Sequence, residues 1–548
     1  MKANELRQVK YYNTFREMVE DIAIGREDFP AIQWYTRKGE KKGVSYGTFR
    51  QDVRDLQASF VHRNYVGKNI AILGENSYEW LLVYFAATYC GAVAVCVDIE
   101  QSEETLAQMI KMTDVEVLFC SASMEKICRT QLSSEREMFL LNGPSNEVLS
   151  VEDLKREGAQ LLQEGAVPFS KEPGPDDTSS ILFTSGTTNY AKPVMFSQKA
   201  LLTNASDALA CVAIGKVVFT SLPFYHTYGL TCSVIGELIG GVEIHINGNL
   251  KTMMRDLSLA RPHSILTVPL VLETLHARLW KNATEKKQSE QLRLLLNYGK
   301  IRYHLGCRRF GKRLDKIREQ CLGSVRLVIC GAAHIDPKIV EDFAYMGITV
   351  LQGYGITECS PLVSVNRIGA NKFDSVGLVM PNCQIKIDQD EILVKGSNVM
   401  QGYYNLPELT EESFRDGWFA TGDLGYVDKD GFLFITGRKK NLIVFQNGKK
   451  ISPEMFEEKI RKIPLVQDVL VYGATSGASS DDVQMAVSIF PNKKKTEGLS
   501  SYEILDLLQK EIDEINRNMP LYQQIQMINI REQGFEKTTL QKIKRHMV

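Results

Sequence analysis

The residues best suited to phosphate chemistry lie between Thr184 and Lys192. A short apolar segment, 180–183, leads into Thr184-Ser185-Gly186-Thr187-Thr188, and Lys192 follows shortly afterwards. Backbone N–H groups and hydroxyls in so compact a loop can approach a phosphate closely, and a lysine adds positive charge. The spacing is not that of a P-loop, and an ordinary Ser/Thr turn is the alternative interpretation.

A second segment combines groups suited to a nucleotide, Gln352-Gly353-Tyr354-Gly355-Ile356-Thr357-Glu358. Gly353 and Gly355 free the backbone, and Tyr354 offers a flat face for a base. Thr357 can bond a phosphate oxygen, and Glu358 supplies the kind of oxygen ligand that Mg²⁺ prefers. The alternative is a glycine turn before a helix, with Glu358 as its capping acid.

Two more polar segments follow in the chain. Asp423 ends Gly417-Trp418-Phe419-Ala420-Thr421-Gly422-Asp423, and a carboxylate after a glycine turn could accept hydrogen bonds from ribose hydroxyls. Its alternative is a β-turn aspartate. The basic segment Gly437-Arg438-Lys439-Lys440 comes next, followed by Asn447-Gly448-Lys449.

Elements that could position these residues alternate along the N-terminal part of the chain. Predicted strands are 69–73, 92–97, 115–119, 217–221, 241–246, 264–268 and 325–330, and predicted helices include 102–112, 196–210 and 269–282. Such alternation indicates an α/β fold with mostly parallel, helix-covered sheets, whose ligands bind beyond the C-terminal ends of the strands. We therefore expect the Thr184 loop, 223–226, Gly331-Ala332-Ala333 and 353–355 to converge on one crevice.

The pattern changes near residue 375. Short strands at 384–388, 391–395, 425–427 and 432–436 predict a small β-barrel-like subdomain over about 375–437. Helix 452–462, strands 467–473 and 483–490, helix 500–517 and a polar tail then predict a compact α+β unit. The sequence thus predicts a large domain, 1–439, and a small one, 440–548, with the boundary at Lys440.

Composition excludes several classes of function. The 548 residues carry a net charge of −1, so no basic field favours nucleic acid or an acidic membrane. The eleven cysteines form no C-x-x-C pair, which disfavours a zinc knuckle and fits a reduced compartment. The N-terminus is polar, without the apolar core of a signal peptide, so we expect a cytoplasmic protein.

One apolar run, 80–97, is long enough to suggest a membrane span. Gly91 offers a break within it, so the sequence favours a buried helix, about 79–89, that turns into a buried strand, 92–97. No transmembrane segment is therefore expected, and peripheral membrane contact stays open.

In this order, the motifs resemble the adenylate-forming superfamily of AMP-binding enzymes, which includes acyl-CoA synthetases, peptide-synthetase adenylation domains and luciferases. The resemblance covers about 45–545, and 353–361, 391–404 and 417–454 are most similar to bacterial long-chain acyl-CoA synthetases. It implies that ATP and a carboxylic acid, here a fatty acid, form an acyl-adenylate, which coenzyme A then converts to a thioester.

The resemblance also implies roles for individual residues. The β- and γ-phosphates would be bound by Thr184, Ser185, Gly186, Thr187, Thr188 and Lys192, and the rest of the nucleotide would be held by Gly331, Ala332, Ala333, Gly353, Tyr354 and Gly355, with Tyr354 on adenine. Thr357 would contact the α-phosphate, Glu358 would bind Mg²⁺, and Asp423 beside Arg438 would hold the ribose. Lys440 would be the hinge, and the residues facing coenzyme A would be Asn447, Gly448 and Lys449.

Two further roles rest on the same resemblance. His226, among the aromatics of 223–228, would lie near the substrate carboxylate, and a buried structural histidine is its alternative. The tail 537–545 is similar to the family's P-K-T-x-x-G-K-x-x-R, which assigns Lys542 to bridge the carboxylate and the α-phosphate. Ser185 lacks a G-x-S-x-G elbow, so hydrolase chemistry is disfavoured.

The sequence departs from the family's pattern at five positions, Asn189, Ala191, Pro193, Glu536 and Gln541. These departures keep a catalytically impaired nucleotide-binding relative as an alternative. A second alternative is a stand-alone adenylation enzyme that loads an acyl or aminoacyl group onto a carrier protein instead of coenzyme A.

Overall fold

The computed structural model of the chain describes residues 6–132, 136–143, 148–165, 172–184, 191–307, 310–445, 449–475, 483–517, 519–537 and 543–545. The chain folds into two compact units. The first comprises Met1–Gln384 and Val394–Phe419, and the second comprises Ile385–Leu393 and Ala420–Val548. Strands and helices are numbered along the chain.

The first unit contains a mixed sheet whose central strands are parallel. In spatial order its strands are β15 (Gly377–Val379), β14 (Leu362–Val365), β13 (Thr349–Gly355), β12 (Leu327–Cys330), β11 (Ser264–Thr267), β9 (Val217–Thr220), β10 (Glu243–Ile246), β1 (Pro30–Tyr35) and β2 (Lys41–Ser45). Pairing is parallel from β13 to β1 and antiparallel at either end.

A second sheet of this unit is also mainly parallel. In spatial order it contains β18 (Gly402–Tyr403), β8 (Pro193–Ser197), β7 (Thr178–Phe183), β4 (Val93–Cys96), β3 (Asn69–Leu73), β5 (Val117–Cys120) and β6 (Glu137–Leu140). Only β18, β8 and β7 pair antiparallel. All of β3 is buried, as expected for a parallel strand covered on both faces.

Helices and a short strand accompany these sheets. The helices are α1 (Phe15–Ile22), α2 (Tyr46–His62), α3 (Tyr78–Cys90), α4 (Glu103–Met112), α5 (Glu125–Ile127), α6 (Val151–Gln163), α7 (Gln198–Cys211), α8 (Gly236–Gly240), α9 (Met253–Ala260), α10 (Pro269–Glu285), α11 (Ser289–His304), α12 (Lys312–Leu322), α13 (Pro337–Tyr345) and α14 (Pro407–Glu412). A π-helical turn covers Tyr228–Ile235, and β19 (Phe414–Arg415) is the short strand.

The apolar run near residue 90 is a buried helix followed by a buried strand, as the sequence predicted. Ser77 caps α3 by accepting a hydrogen bond from the Trp80 backbone N–H, and the helix interior is buried. Gly91 ends the helix with φ 82°, a left-handed conformation that glycine adopts without a steric penalty. Within the described ranges, no helix has both the length and the apolarity to cross a membrane.

The cysteines form no disulfide bonds among the described residues. Nine of the eleven are buried, and Cys307 and Cys321 are half-buried.

Four strands follow one another in the spatial order β16 (Cys383–Asp388), β17 (Glu391–Gly396), β20 (Trp418–Val427) and β21 (Phe432–Arg438), and β20 and β21 pair antiparallel. The second unit contains all of β21 and residues 385–388, 391–393 and 420–427 of the other three. The rest contains the hairpin β22 (Ile443–Val444) with β23 (Lys450–Ile451), helices α15 (Glu454–Arg461) and α16 (Ser501–Asn516), and a sheet of β24 (Val466–Thr475), β25 (Val483–Pro491) and β26 (Ile525–Ile530). Its core packs Phe456 and Leu508 against Val469 and Val487.

Three expectations from the sequence need correction. Gly353-Tyr354-Gly355 is not a loop after a strand, because it forms the last part of β13 and pairs with β14. Asp423 does not follow a turn, because β20 already begins at Trp418. The supposed polar tail contains β26, which pairs parallel to β25 and whose apolar residues at 525, 528 and 530 signal a strand.

Candidate functional site

The predicted phosphate loop is the connection of a β-hairpin. Phe183 at the end of β7 pairs with Pro193 at the start of β8. One step further out, the Thr184 N–H donates to the Lys192 carbonyl oxygen at 3.1 Å, and the Lys192 N–H donates to Thr184 Oγ1 at 3.2 Å. The ends of the loop are therefore closed by the two predicted site residues.

The interior of this loop carries most of the predicted phosphate ligands. Ser185, Gly186, Thr187 and Thr188 lie outside the described residues, as does the unusual Asn189. Pro193 is compatible with the hairpin because proline is tolerated as the first residue of a strand. Its carbonyl oxygen accepts a hydrogen bond from the Tyr404 N–H at 2.8 Å.

Glu358 is held at both its backbone and its side chain. It lies half-buried in a single 3₁₀ turn, Thr357–Cys359, directly after β13. The Met400 N–H donates to its carbonyl oxygen at 2.8 Å, and the Tyr403 hydroxyl donates to its Oε1 at 2.9 Å. The structure therefore fixes the orientation of the predicted metal ligand through the segment 400–403.

Tyr403 is a site residue that the sequence analysis missed. Its side chain is buried, and the Lys192 ammonium nitrogen lies 5.0 Å from the centroid of its ring. Burial, followed by the charge of Glu358, raises the pKa of Tyr403 well above its ordinary value, so the hydroxyl stays protonated and acts as the donor. The motif Gln401-Gly402-Tyr403-Tyr404 is the sequence signal that could have identified it.

The residues around Glu358 fit Mg²⁺ bound together with a nucleotide. Mg²⁺ often uses one or two carboxylates plus substrate phosphates and water, so it does not require a cage of protein ligands. In the part of the chain that the structure describes, no group of three or more His, Cys, Asp or Glu forms such a cage. Glu358 would supply the carboxylate, and the Thr184–Lys192 loop would hold the phosphates.

The predicted nucleotide segments meet at one edge of the mixed sheet. Strands β12 and β13 are parallel neighbours, so Gly331 follows β12 where β13 reaches Gly353. A Cβ atom placed on Gly331 would lie 3.7 Å from the Gly353 carbonyl oxygen. Ala332 has φ 75°, a conformation that is strained for a non-glycine residue and is often found at functional sites.

Tyr354 and Gly355 lie next in β13. Tyr354 is 8% exposed, so most of its ring is covered by protein. Position 355 requires glycine, because a Cβ atom there would lie 2.4 Å from the Pro361 carbonyl oxygen. Thr357 follows at the start of the 3₁₀ turn that carries Glu358.

His226 lies in a tight turn after β9, at the same edge of the sheet as the nucleotide segments. The His226 side chain is 7% exposed. Asn76 holds this turn, since its Nδ2 donates to the Leu222 carbonyl oxygen at 2.7 Å and its Oδ1 accepts from the Phe224 N–H at 3.0 Å. Asn76 was not identified from the sequence.

In the second unit, Asp423 and Arg438 form a cross-strand ion pair. They are paired residues of β20 and β21, and Arg438 Nε lies 2.8 Å from Asp423 Oδ1. Asp423 is buried, whereas the Arg438 side chain is 39% exposed. The structure thus brings together the two residues predicted to face a ribose.

The segment around the predicted hinge is anchored on one side. Lys439 Nζ lies 2.7 Å from Oε2 of the buried Glu391, whose Oε1 accepts a hydrogen bond from the Gly422 N–H at 3.1 Å. Lys440 is the exposed middle residue of the 3₁₀ turn Lys439–Asn441. Lys449 Nζ lies 4.0 Å from the centroid of the Tyr522 ring.

Ion pairs hold Lys537 and Arg545, which lie on either side of Lys542 in the sequence. Lys537 Nζ lies 2.7 Å from Asp468 Oδ1, and Arg545 Nη2 lies 2.6 Å from Glu457 Oε2. Lys537 and Ile543 form an isolated antiparallel bridge. The predicted site residues Asn447, Gly448 and Lys542 lie outside the described residues, as does Gln541.

Known protein families match both parts of the chain. A family model described as AMP-binding enzyme matches residues 19–404, and one described as AMP-binding enzyme C-terminal domain matches residues 440–548. The long-chain-fatty-acid–CoA ligase FadD15 of Mycobacterium tuberculosis is 27% identical over 430 residues, which cover 74% of this chain and 71% of that protein. Long-chain-fatty-acid–CoA ligase 5 of Rattus norvegicus is 27% identical over 521 residues, with coverages of 86% and 75%.

Solved structures share the fold at low sequence identity. The anthranilate CoA ligase AuaEII in complex with anthranoyl-AMP has a TM-score of 0.77 at 18% identity, covering 100% of this chain and 98% of that chain. The O-succinylbenzoate coenzyme A synthetase MenE of Bacillus subtilis, in complex with ATP and a magnesium ion, has a TM-score of 0.73 at 21% identity, with coverages of 96% and 98%.

Proposed function

Because this chain belongs to the AMP-binding enzyme family, as its motifs predicted, we propose that it is an ATP-dependent acyl-CoA ligase acting on a fatty acid. Relatives named long-chain-fatty-acid–CoA ligases support the fatty acid as substrate and coenzyme A as acceptor. The neighbour that holds ATP and a magnesium ion supports both as components of the reaction.

One observation carries this proposal beyond the family match. Within the first unit, Lys192 at the end of the phosphate loop, Tyr403 and Glu358 are in successive contact. A cation and an acid suited to Mg²⁺ are therefore held beside the loop that would bind a triphosphate. This arrangement favours turnover over an impaired relative, since the departures at Ala191 and Pro193 leave the base of the loop closed.

In the first half-reaction a carboxylate oxygen would attack the α-phosphorus, and the bond from that phosphorus to the pyrophosphate oxygen would break. Both reactants are negative, so cationic groups are needed to offset the charge that builds at phosphorus. Mg²⁺ at Glu358 would neutralise charge on the phosphates. Lys192 would bind the β- and γ-phosphates, Thr357 the α-phosphate and Asp423 with Arg438 the ribose.

Lys542 would act in this half-reaction alone, bridging the carboxylate and the α-phosphate. One preorganised donor of this kind lowers a barrier by about 3–4 kcal/mol. In the second half-reaction the thiol of coenzyme A would lose its proton to solvent and attack the acyl carbon, and the bond from that carbon to the phosphate oxygen of AMP would break, with Asn447, Gly448 and Lys449 on the thiol side. Because the two steps need different groups over one adenylate, we propose residues 440–548 as a mobile domain hinged at Lys440.

Acid-dependent exchange of labelled pyrophosphate into ATP tests the proposal. Purified protein should support exchange with medium- or long-chain fatty acids and should form the thioester with free coenzyme A. Exchange without thioester formation, rescued by an acyl carrier protein, would favour the carrier-loading alternative. Absence of exchange across fatty, aromatic and amino acids would refute enzymatic activation and favour the impaired relative.

The Lys542→Ala variant tests the division of labour between the two steps. It should lose pyrophosphate exchange by about 100-fold or more, the loss expected for one catalytic donor. It should still convert a preformed acyl-adenylate to the thioester at the wild-type rate. Lys544→Ala is the matched control, because it removes a charge two residues away in the same tail. Equal losses in both half-reactions would contradict the assignment.

A further inference from the structure

Tyr403 joins the two charged groups that flank the predicted phosphate site. Its hydroxyl donates to Glu358 Oε1 at 2.9 Å, and its ring lies 5.0 Å from the ammonium nitrogen of Lys192. One buried side chain therefore contacts both the Glu358 carboxylate and the Lys192 ammonium group.

Pairing between strands fixes the position of Tyr403 relative to the phosphate loop. In β18, Tyr403 pairs with Val194, the second residue of β8, and β8 starts immediately after Lys192. Hydrogen bonds on either side extend this pairing, from the Gln401 N–H to the Met195 carbonyl oxygen at 3.0 Å and from the Tyr404 N–H to the Pro193 carbonyl oxygen at 2.8 Å.

The backbone of Tyr403 has a further anchor in α14. Its N–H donates to Thr410 Oγ1 at 2.9 Å. The neighbouring Met400 N–H donates to the Glu358 carbonyl oxygen at 2.8 Å, so the same short segment holds the backbone of the acid as well. The ring and the hydroxyl of Tyr403 therefore have little freedom to move away from Lys192 and Glu358.

The hydrogen bond has a direct consequence for a metal at Glu358. A carboxylate has about four lone-pair sites on its two oxygens, and the Tyr403 hydroxyl occupies one of them on Oε1. This bond by itself leaves up to three sites for other ligands, and it limits rotation of the carboxylate group. Groups that orient a metal ligand in this way typically change metal affinity by about 10- to 100-fold when they are removed.

We propose that Tyr403 is a positioning residue that orients the Glu358 carboxylate for the Mg²⁺ of the bound nucleotide and sets its distance from Lys192. The inference rests on the proposed function, which supplies the nucleotide and the metal. It assigns the two parts of one side chain different roles, since the hydroxyl acts on the acid and the ring face acts on the lysine.

Metal binding in the Tyr403→Phe variant tests this proposal. The variant keeps the ring beside Lys192 and removes only the hydroxyl. Binding of Mn²⁺ as the probe metal, measured by electron paramagnetic resonance with α,β-methylene-ATP, should weaken by about 10- to 100-fold. The Mg²⁺ concentration that half-saturates pyrophosphate exchange should rise in parallel, whereas thioester formation from preformed acyl-adenylate should not change.

Tyr404→Phe is the matched control. It removes the adjacent hydroxyl, which bonds Asn69 at 3.1 Å and Asp114 at 3.2 Å and does not contact Glu358. This variant should bind Mn²⁺ and nucleotide as the wild type does. In the background of Glu358→Gln, the change at Tyr403 should have no further effect on Mn²⁺ binding, because the ligand that it orients is gone.

Unchanged Mn²⁺ binding in a folded Tyr403→Phe variant would overturn the proposal. If that variant fails to fold, Thr410→Val tests the same point, because it removes the hydroxyl that holds the Tyr403 backbone. The Thr410→Val variant should bind Mn²⁺ severalfold more weakly than the wild type, and unchanged binding would overturn the proposal. Wild-type protein that binds Mn²⁺ and nucleotide without any exchange would refute the proposed function and leave the Tyr403 comparison decisive. Wild-type protein that binds neither would overturn both.

Discussion

Replacement of Glu237 by glutamine should make the protein less sensitive to rising pH. Glu237 belongs to α8 in the first unit, where its side chain is buried. Among the described residues, its Oε2 has no hydrogen-bond partner. Burial raises the pKa of Glu237 from 4.5 to about 8, because the charged carboxylate is disfavoured away from water.

The size and sign of the effect follow from this pKa. Between its ordinary pKa and about pH 8, the folded protein retains a proton on Glu237 that the unfolded chain has released. The free energy of unfolding therefore falls as pH rises through this window, by up to about 1.4 kcal/mol per pH unit. From about pH 5.5 to 7.5 the Glu237 contribution should fall by about 2.5 kcal/mol. Glutamine does not titrate, so the Glu237→Gln variant lacks this loss.

Guanidinium unfolding of the wild type and of Glu237→Gln at several pH values measures the effect. The stability of the variant minus that of the wild type should rise by about 2.5 kcal/mol over this range, whatever constant offset the amide introduces. Glu412→Gln, at an exposed position of the same unit, should show no such slope. A difference that does not vary with pH would refute the reasoning, because it would mean that Glu237 has the same charge in the folded and unfolded states.

Three other predictions concern packing, ion pairing and thiol exposure. Gly355→Ala should lower the free energy of unfolding by about 1–3 kcal/mol and impair pyrophosphate exchange, because the new Cβ atom would lie 2.4 Å from the Pro361 carbonyl oxygen. Thermal unfolding and the exchange assay measure these two effects, and wild-type values for both would contradict the prediction. Arg545→Gln should destabilise the second unit by about 3 kcal/mol, because it leaves the buried Glu457 without its cation. Arg517→Gln breaks an exposed ion pair and should destabilise the unit by less than about 1 kcal/mol. Limited proteolysis should cleave the Arg545→Gln variant faster than the Arg517→Gln variant, and equal cleavage rates would refute the difference. Native protein should expose at most two fast-reacting thiols and denatured protein all eleven, counted with a chromogenic disulfide reagent; more than two in the native protein would be inconsistent with the burial observed.

Elements whose signal is local could be predicted from the sequence. Strands β3, β9 and β11 were predicted at 69–73, 217–221 and 264–268 because a short, buried apolar run is visible in the sequence itself. Gly91 likewise marked the end of α3, since few other residues adopt its left-handed conformation without strain.

Predictions failed where pairing with a distant strand decided the conformation. The glycines around Tyr354 suggested a loop, yet antiparallel pairing with β14 keeps this segment extended to Gly355. Asp423 was expected after a turn, and pairing with Arg438 in β21 places it within a strand. Both segments are rich in turn-forming residues, so tertiary hydrogen bonding overrode their local preference.

By itself, the sequence determined the family, the α/β class and the chemical types of the candidate ligands, because these follow from residue identity, order and spacing. The tertiary structure alone decided that Tyr403 contacts both Lys192 and Glu358, residues separated by more than 160 positions in the chain. It also decided that Glu237 is enclosed away from water. A side chain's neighbours and its access to solvent depend on how distant segments pack, and that information is not present in any local stretch of sequence.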